Sequence, residues 1–192
     1  IILSSSSSVY GQNRNMPLKE SEVPMPTSPY AASKASCELY LKSFYDTYGL
    51  DYVSLRYFNV FGRRQTTDGA YAAVIPKFIK MLINGEQPTI NGDGKQSRDF
   101  TYIDDIVEGI IRVMGKAPER KTGEDGLPEP PYKVYNIGNS NPENLLDFVK
   151  ILSEELVDAG VLPADYDFEA HKKLVPMQAG DVEITFADEA FL

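Results

Sequence analysis

The chain has 192 residues, 42% of them hydrophobic and 24% charged, the make-up of an ordinary globular protein with one core or a share in a larger one. Acidic residues outnumber basic ones 28 to 19 for a net charge of −9, which gives no reason to expect nucleic-acid binding and leaves a local basic pocket for an anionic ligand. One cysteine, Cys37, excludes an internal disulfide; one histidine, His171, excludes a histidine-cluster metal site and argues against a Ser-His-Asp triad.

Ile1 to Leu3 read as a short buried strand, and Ser4 to Ser8 with Val9-Tyr10-Gly11 as a polar exit from its carboxyl end, where open α/β sheets hold ligands. The opening is too short to read as a signal peptide, and no apolar run approaches the roughly 20 residues of a membrane span, so a cytoplasmic protein is expected. Gln12 to Pro26 is polar and Pro-rich, a loop. Thr27 or Ser28 can cap orphan N–H groups, Pro29 suits the first helical position, and Ala31, Ala35, Leu39 and Phe44 mark a helix that Gly49 stops. Within it Cys37 reads as a small buried hydrophobe.

Asp51 to Phe61, rich in β-branched and aromatic residues, predicts a second buried strand, and strand, loop, helix, strand is the βαβ rhythm of a parallel sheet. After a loop from Thr66 to Tyr71, Pro76 opens a helix through Phe78, Ile79, Leu82 and Ile83 to Gly85. The turn Asn91-Gly92-Asp93-Gly94 leads into a strand-like run from Ser97 to Ile103. Asp104 or Asp105 then caps a helix carrying Ile106, Ile110, Ile111 and Met114. Lys116 to Pro131, charged and rich in Pro and Gly, predicts a mobile surface loop. Val134 to Gly138 is a strand, and Asn141-Pro142 starts a helix with apolar residues at Leu145, Leu146, Val149, Leu152 and Leu156. Pro163 to Val175 is irregular, with His171 on the surface beside Glu169, Lys172 and Lys173. Val182 to Ala187 is a short strand, and a further helix begins at the end of the chain.

Tyr30 and Lys34, in Thr-Ser-Pro-Tyr-Ala-Ala-Ser-Lys, stand four apart at a helix start, so hydroxyl and ammonium share a face. A neighbouring positive charge favours phenolate over phenol, the condition for a tyrosine general base. The plain alternative is a packed tyrosine beside a solvated lysine.

Ser4 to Gly11, Tyr30 to Lys34, Leu55 to Gly62, Asn91 to Val107, Val134 to Gly138 and Gly180 to Asp188, in that order, resemble the extended short-chain dehydrogenase/reductase family, and within it the nucleotide-sugar 4-epimerases. The resemblance implies an α/β fold: the carboxyl-terminal half of a Rossmann-type doubly wound parallel sheet plus a small α/β substrate-binding domain. Residues 1–64 would be the second half of the dinucleotide-binding domain and 65–192 mainly the nucleotide-sugar domain, with 97–115 and 134–158 returning partly to the core.

It also implies a reaction. Tyr30 is the base and Ser6 its hydroxyl partner, while Lys34 binds the nicotinamide ribose; NAD accepts the C4 hydride of a UDP-sugar and returns it to the opposite face of a 4-keto intermediate. Ser4, Tyr57 and Phe58 fall on the cofactor side, Asn59 on the sugar diphosphate, and Val74, Ile75 and Asn91 at the uracil pocket. Arg98 matches the arginine that clamps the diphosphate, its plain alternative being a surface ion pair with Asp99. Gln178 stands where many epimerases carry a second phosphate-binding arginine, a departure that weakens the site or shifts it to Arg63 or Arg64. Asp181 belongs to the same substrate segment, and Thr185 limits the room around the sugar C2 substituent, where a residue smaller than tyrosine admits an N-acetyl group. Hydroxyls at Ser7 and Ser8, where dehydratases and decarboxylases of the family carry an acid, favour simple epimerisation.

The run from Met177 to Val182 is also similar to UDP-glucuronate 4-epimerases, which keeps a uronate open. The Tyr30 helix is the expected homodimer interface. The family's Gly-x-x-Gly-x-x-Gly turn does not occur in the sequence, so roughly a hundred residues are expected upstream, at about 30 per βαβ unit, and the last helix is expected to continue. A non-catalytic nucleotide-sugar binding or assembly module is the competing expectation.

Overall fold

A computed structural model describes residues 1–67, 73–116, 118–119, 121–124, 126, 128–129, 132–177 and 182–188. Strand β1, Ile2–Ser6, runs through the first serines instead of ending at Leu3, and a 3-10 turn, Ser7–Tyr10, follows. It forms the edge of a parallel three-stranded sheet, beside β2, Tyr52–Tyr57, which pairs in turn with the later strand Tyr132–Ile137. That edge position leaves Ile1 and Ile2 exposed, contrary to a buried reading, whereas β2 is central and almost wholly buried.

Helix α1, Pro29–Tyr48, connects the two strands. The Ser28 hydroxyl accepts from the Ala31 N–H, Pro29 takes the first position, and Gly49 closes the helix at φ 69° in the left-handed region. Only Ala31 and Ala35 are buried along it. Cys37 is exposed, as are Leu39, Tyr40, Phe44 and Tyr48, so the apolar stripe is not the face turned to the sheet. The small alanines let the helix approach, and the polar side carrying Lys34 and Glu38 makes the contacts with β1 and β2.

The predicted strand 51–61 is interrupted at Phe58-Asn59; β3, Val60–Phe61, leaves the main sheet. Helix α2, Val74–Ile83, begins two residues before Pro76, whose missing N–H costs nothing in a first turn. Then come β4, Thr89–Asn91, β5, Ser97–Asp99, and β6, Thr101–Tyr102, the last parallel to β3. Helix α3, Ile103–Met114, starts at Tyr102 without a side-chain cap; Asp104 and Asp105 lie in its first turn, where they favour the helix dipole without capping. The charged excursion contains a small antiparallel pair, β7, Lys121–Thr122, and β8, Pro128–Glu129, before β9, Tyr132–Ile137.

Asn141-Pro142 does not open a helix. Residues Pro142–Asn144 form β10, antiparallel to β5, and Asn144 then caps α4, Leu145–Asp158, accepting from the N–H groups of Leu146 and Asp147. Within the stretch expected to be irregular, α5, Phe168–His171, precedes β11, Lys173–Val175, which pairs with β4. Residues 182–188 make two isolated bridges, Ile184 with Ser97 and Ala187 with Leu18, in place of a strand.

Among the described residues three apolar clusters result. One joins β2, α3 and β9 through Leu55, Ile106 and Ile137; a second gathers Val9, Tyr10, Phe58 and Ala187; a third packs Ile75, Phe78, Ile90, Phe100 and Val149 between α2 and α4. Phe100 and Phe148, with ring centroids 4.3 Å apart, meet Phe61 at its edge. Truncating Phe78 to alanine in this third cluster is expected to cost about 3–5 kcal/mol, read as a lowered midpoint in urea unfolding with an unchanged slope.

Candidate functional site

Parallel strands end together here: Ser6 of β1, Tyr57 of β2 and Ile137 of β9 are in register at the carboxyl edge. The Ser6 hydroxyl accepts from the Ser8 N–H at 3.2 Å and the Ser8 hydroxyl at 2.9 Å, which fixes it at the strand-to-turn corner. Ser4 and Tyr57 share a hydrogen bond of 3.2 Å. One turn into α1, Lys34 donates to the Ser4 carbonyl at 2.9 Å, and its ammonium lies 5.8 Å from the centre of the Tyr30 ring. Five residues expected at the chemical end of the site, Ser4, Ser6, Tyr30, Lys34 and Tyr57, thus come from the ends of two neighbouring strands and the first turns of the helix laid against them. Phe58, expected on the cofactor side, has no exposed surface in this structure, and its ring packs against Tyr10 in a core cluster.

Beneath these groups lies an ion pair that the sequence reading missed. Arg56 of β2 binds Glu38 of α1 through Nε and Nη2, at 3.0 and 2.7 Å, and their side chains are 4% and 11% exposed. Hydroxyls of Ser5 and Ser54 donate to the same carboxylate at 2.5 and 3.1 Å. Burial disfavours the Glu38 charge, but the Arg56 hydrogen bonds and attraction, with those of the serines, hold its carboxyl below the usual range. The legible signals were Glu38, continuing the four-residue step from Tyr30 and Lys34, and a lone arginine inside an apolar strand.

The substrate-side residues form a second group. Thr185 accepts from the Asp99 N–H at 3.0 Å and donates to Asn59 Oδ1 at 2.7 Å, joining two expected site residues 126 positions apart. Because the backbone N–H occupies the hydroxyl as acceptor, its hydrogen goes to the amide oxygen, leaving the Asn59 NH2 as a donor for a ligand. Arg98 is 8% exposed and donates to the carbonyls of Ser97 and Glu183. Asp99 is not its surface partner: that carboxylate is buried and accepts from the N–H groups of Asn139 and Ala187 at 2.7 and 2.9 Å. Burial pushes the Asp99 carboxyl up, against the backbone donors that pull it down. Ile75 and Val74 belong to the third core cluster, Ile75 also lining a cleft of about 550 Å³ with Phe61 and Ile79, and Asn91 accepts from Gln96 through its carbonyl. Arg63 is engaged by Asp104 at 3.1 Å. Gln178 and Asp181 lie outside the described residues.

A parallel sheet with serine hydroxyls at its carboxyl edge and a Tyr-x-x-x-Lys helix against it is the Rossmann-type α/β class. The chain belongs to the NAD dependent epimerase/dehydratase family, which it matches over residues 1–138. Among its relatives, an uncharacterized 37.6 kDa protein in the cld 5′ region of Escherichia coli O111:H- is 40% identical over 98% of this chain and 54% of that protein. A probable UDP-glucuronate 4-epimerase of Rhizobium meliloti is 37% identical over 100% of this chain and 54% of its own length. Among solved structures, a UDP-N-acetylglucosamine 4-epimerase from Methanobrevibacter ruminantium M1, in complex with UDP-N-acetylmuramic acid, superposes with TM-score 0.78 at 44% identity, covering 98% of this chain and 54% of that one. The chain spans about half the length of the curated relatives it matches. No helix among the described residues is long and apolar enough to cross a membrane.

The depressed Glu38 carboxyl makes a pH prediction. A group whose folded value lies below its unfolded one, about 4.3 for glutamate, contributes stability that is present above that value and lost as pH falls through the folded value. Melting temperatures measured from pH 6 down to 3 are therefore expected to fall more steeply for wild type than for Glu38→Gln; parallel curves would contradict the assignment.

Proposed function

We propose that this chain carries the catalytic and nucleotide-sugar-binding half of an NAD-dependent UDP-sugar 4-epimerase. What chiefly supports the reading is the Lys34 contact with the Ser4 carbonyl, which seats the Tyr30-Lys34 face of α1 on the strand that ends in Ser6. The donors there suit a nicotinamide ribose: an ammonium, two phenols and the Ser4 hydroxyl at a strand edge. NAD, when bound, supplies the hydride acceptor and donor for C4. Ser6 holds the sugar 4-oxygen by a hydrogen bond, and Tyr30 removes its proton as the C4 hydride leaves. Lys34 stabilises the phenolate, and on return Tyr30 gives the proton back to an oxygen now on the other face. Asn59 and Arg98 take the diphosphate, with Val74, Ile75 and Asn91 beside the base. Gln178 and Asp181 complete that segment, and Tyr57 with Ser4 lies on the cofactor side.

For the sugar, we favour a UDP-N-acetylhexosamine. The Thr185 side chain is short, and the similar solved structure at 44% identity is a UDP-N-acetylglucosamine 4-epimerase. A uronate is the second reading, favoured by the UDP-glucuronate relative at 37% identity. In this reading residues 1–64 complete a dinucleotide-binding domain, the rest is mainly substrate domain, and the isolated 192 residues neither hold NAD tightly nor turn over. The exposed Leu39, Tyr40, Phe44 and Tyr48 of α1 are the surface on which a second copy packs.

In the full-length protein, Tyr30→Phe is expected to lower kcat at least a hundredfold with KM within about threefold, since it deletes the base and leaves the binding groups. Unchanged turnover overturns the mechanism. Thr185→Tyr is expected to lower turnover of UDP-N-acetylglucosamine by at least tenfold more than that of UDP-glucose, since both sugars lose the Thr185 links to Asn59 and Asp99 and only the N-acetyl group is also crowded. If both sugars respond alike, or wild type prefers UDP-glucuronate, the N-acetylhexosamine assignment fails.

A further inference from the structure

Lys34 and Glu38 stand four apart on α1, the spacing at which lysine and glutamate on one helix face form an ion pair. Here they do not pair. Both Glu38 oxygens are taken by Arg56, at 3.0 and 2.7 Å, and Oε1 also receives the Ser5 and Ser54 hydroxyls. Arg56 is itself confined: its guanidinium lies 4.7 Å from the centre of the Tyr10 ring and donates to the Glu20 carbonyl at 3.3 Å. The Lys34 ammonium turns to the Ser4 carbonyl, and among the described residues it meets no carboxylate.

Neighbouring groups from the other packed elements are committed elsewhere. Tyr57 of β2 bonds Ser4, Tyr10 of the 3-10 turn donates to Asn136, and Glu20 accepts from the Asn136 N–H. Glu38 is therefore the acid that the sequence places within one turn of Lys34, and Arg56 is what holds it away.

We infer that Arg56 and Glu38 are positioning residues for the proposed reaction: Arg56 sequesters the Glu38 carboxylate so that it does not form a competing ion pair with Lys34, whose positive field then acts on the Tyr30 phenolate. The inference rests on the epimerase reading and adds to it the identity of the group protecting the lysine. The same pair sets α1 along β1, because Ser5, which donates to Glu38, lies between Ser4, held by Lys34, and Ser6. Without Arg56 the carboxylate is left buried with its serine donors alone, and of the two lysines one turn away along the helix, Lys34 and Lys42, the second is already paired with Asp46 at 2.6 Å.

The test is steady-state kinetics on the full-length protein with NAD and UDP-N-acetylglucosamine or UDP-glucuronate, at a temperature where circular dichroism shows each variant folded. Arg56→Met is expected to lower kcat at least tenfold with KM within twofold. Adding Glu38→Gln, which removes the competing charge, is expected to restore kcat to within threefold of wild type. A merely structural pair would leave kcat per folded molecule unchanged in Arg56→Met, and that result overturns the inference, as does a double variant no faster than the single. Should Arg56→Met fail to fold, Ser5→Ala with Ser54→Ala loosens the carboxylate more gently. A roughly threefold loss of kcat that Glu38→Gln abolishes is then expected, and no loss overturns the inference. Wild type inactive on every UDP-sugar would instead overturn the epimerase reading, a distinguishable failure.

Discussion

One ion pair removed from water decides how α1 sits on the sheet. Arg56 projects from the central strand and Glu38 from α1 one turn past Lys34, and the two meet in a two-pronged contact reinforced by serines from both β1 and β2. Such a pair is a poor source of net stability, since desolvating two charges offsets most of their attraction, but breaking it by removing one partner typically costs about 3–5 kcal/mol. Its value lies in direction: four hydrogen bonds to one carboxylate permit only one rotation and one height of the helix. The groups one and two turns earlier, Lys34 and Tyr30, inherit that placement.

The group around Asp99 uses the same device with backbone donors. Asp99, buried between β5 and the segment 182–188, accepts from Asn139 and Ala187, while its own N–H holds Thr185 against Asn59. Glycine at position 138 is required there, because a Cβ would lie 2.6 Å from that of Ala187 and 2.8 Å from an Asp99 oxygen. Two buried carboxylates thus organise two ends of one candidate site, the first by pairing with a cation and the second by gathering amides. Their carboxyls shift in opposite directions for that reason.

Membership of the NAD dependent epimerase/dehydratase family accounts for the order of these parts: serine strand, Tyr-Lys helix, Arg-Tyr-Phe-Asn strand, Ser-Arg-Asp-Phe strand. Apolar side chains are exposed at the start of β1, Ile1 and Ile2, and on the outer face of α1, Tyr48 at 75% and Leu39 at 67%.

Local pattern alone specified what depends on local chemistry. The helix from Pro29 to its stop at Gly49 was legible because its capping residues, Pro29 and Gly49 each act on their own backbone, and a buried strand within 51–61 was legible from its β-branched and aromatic residues, though not its end at Tyr57. That Tyr30 and Lys34 share a face was legible for the same reason, since four-residue spacing is a property of one helix, whereas Ser6 was singled out by the resemblance to a family. What the sequence could not show is which partner wins when two are within reach. Pro142 reads as a helix start until β5 offers it an antiparallel neighbour, and Leu39 and Phe44 read as core until the polar face proves to be the one against the sheet. Phe58 faces its own core because β2 ends at Tyr57, and Glu38 leaves Lys34 because an arginine 18 residues away arrives with two donors. Pairings of that kind depend on distances across the fold, which only the packed chain determines.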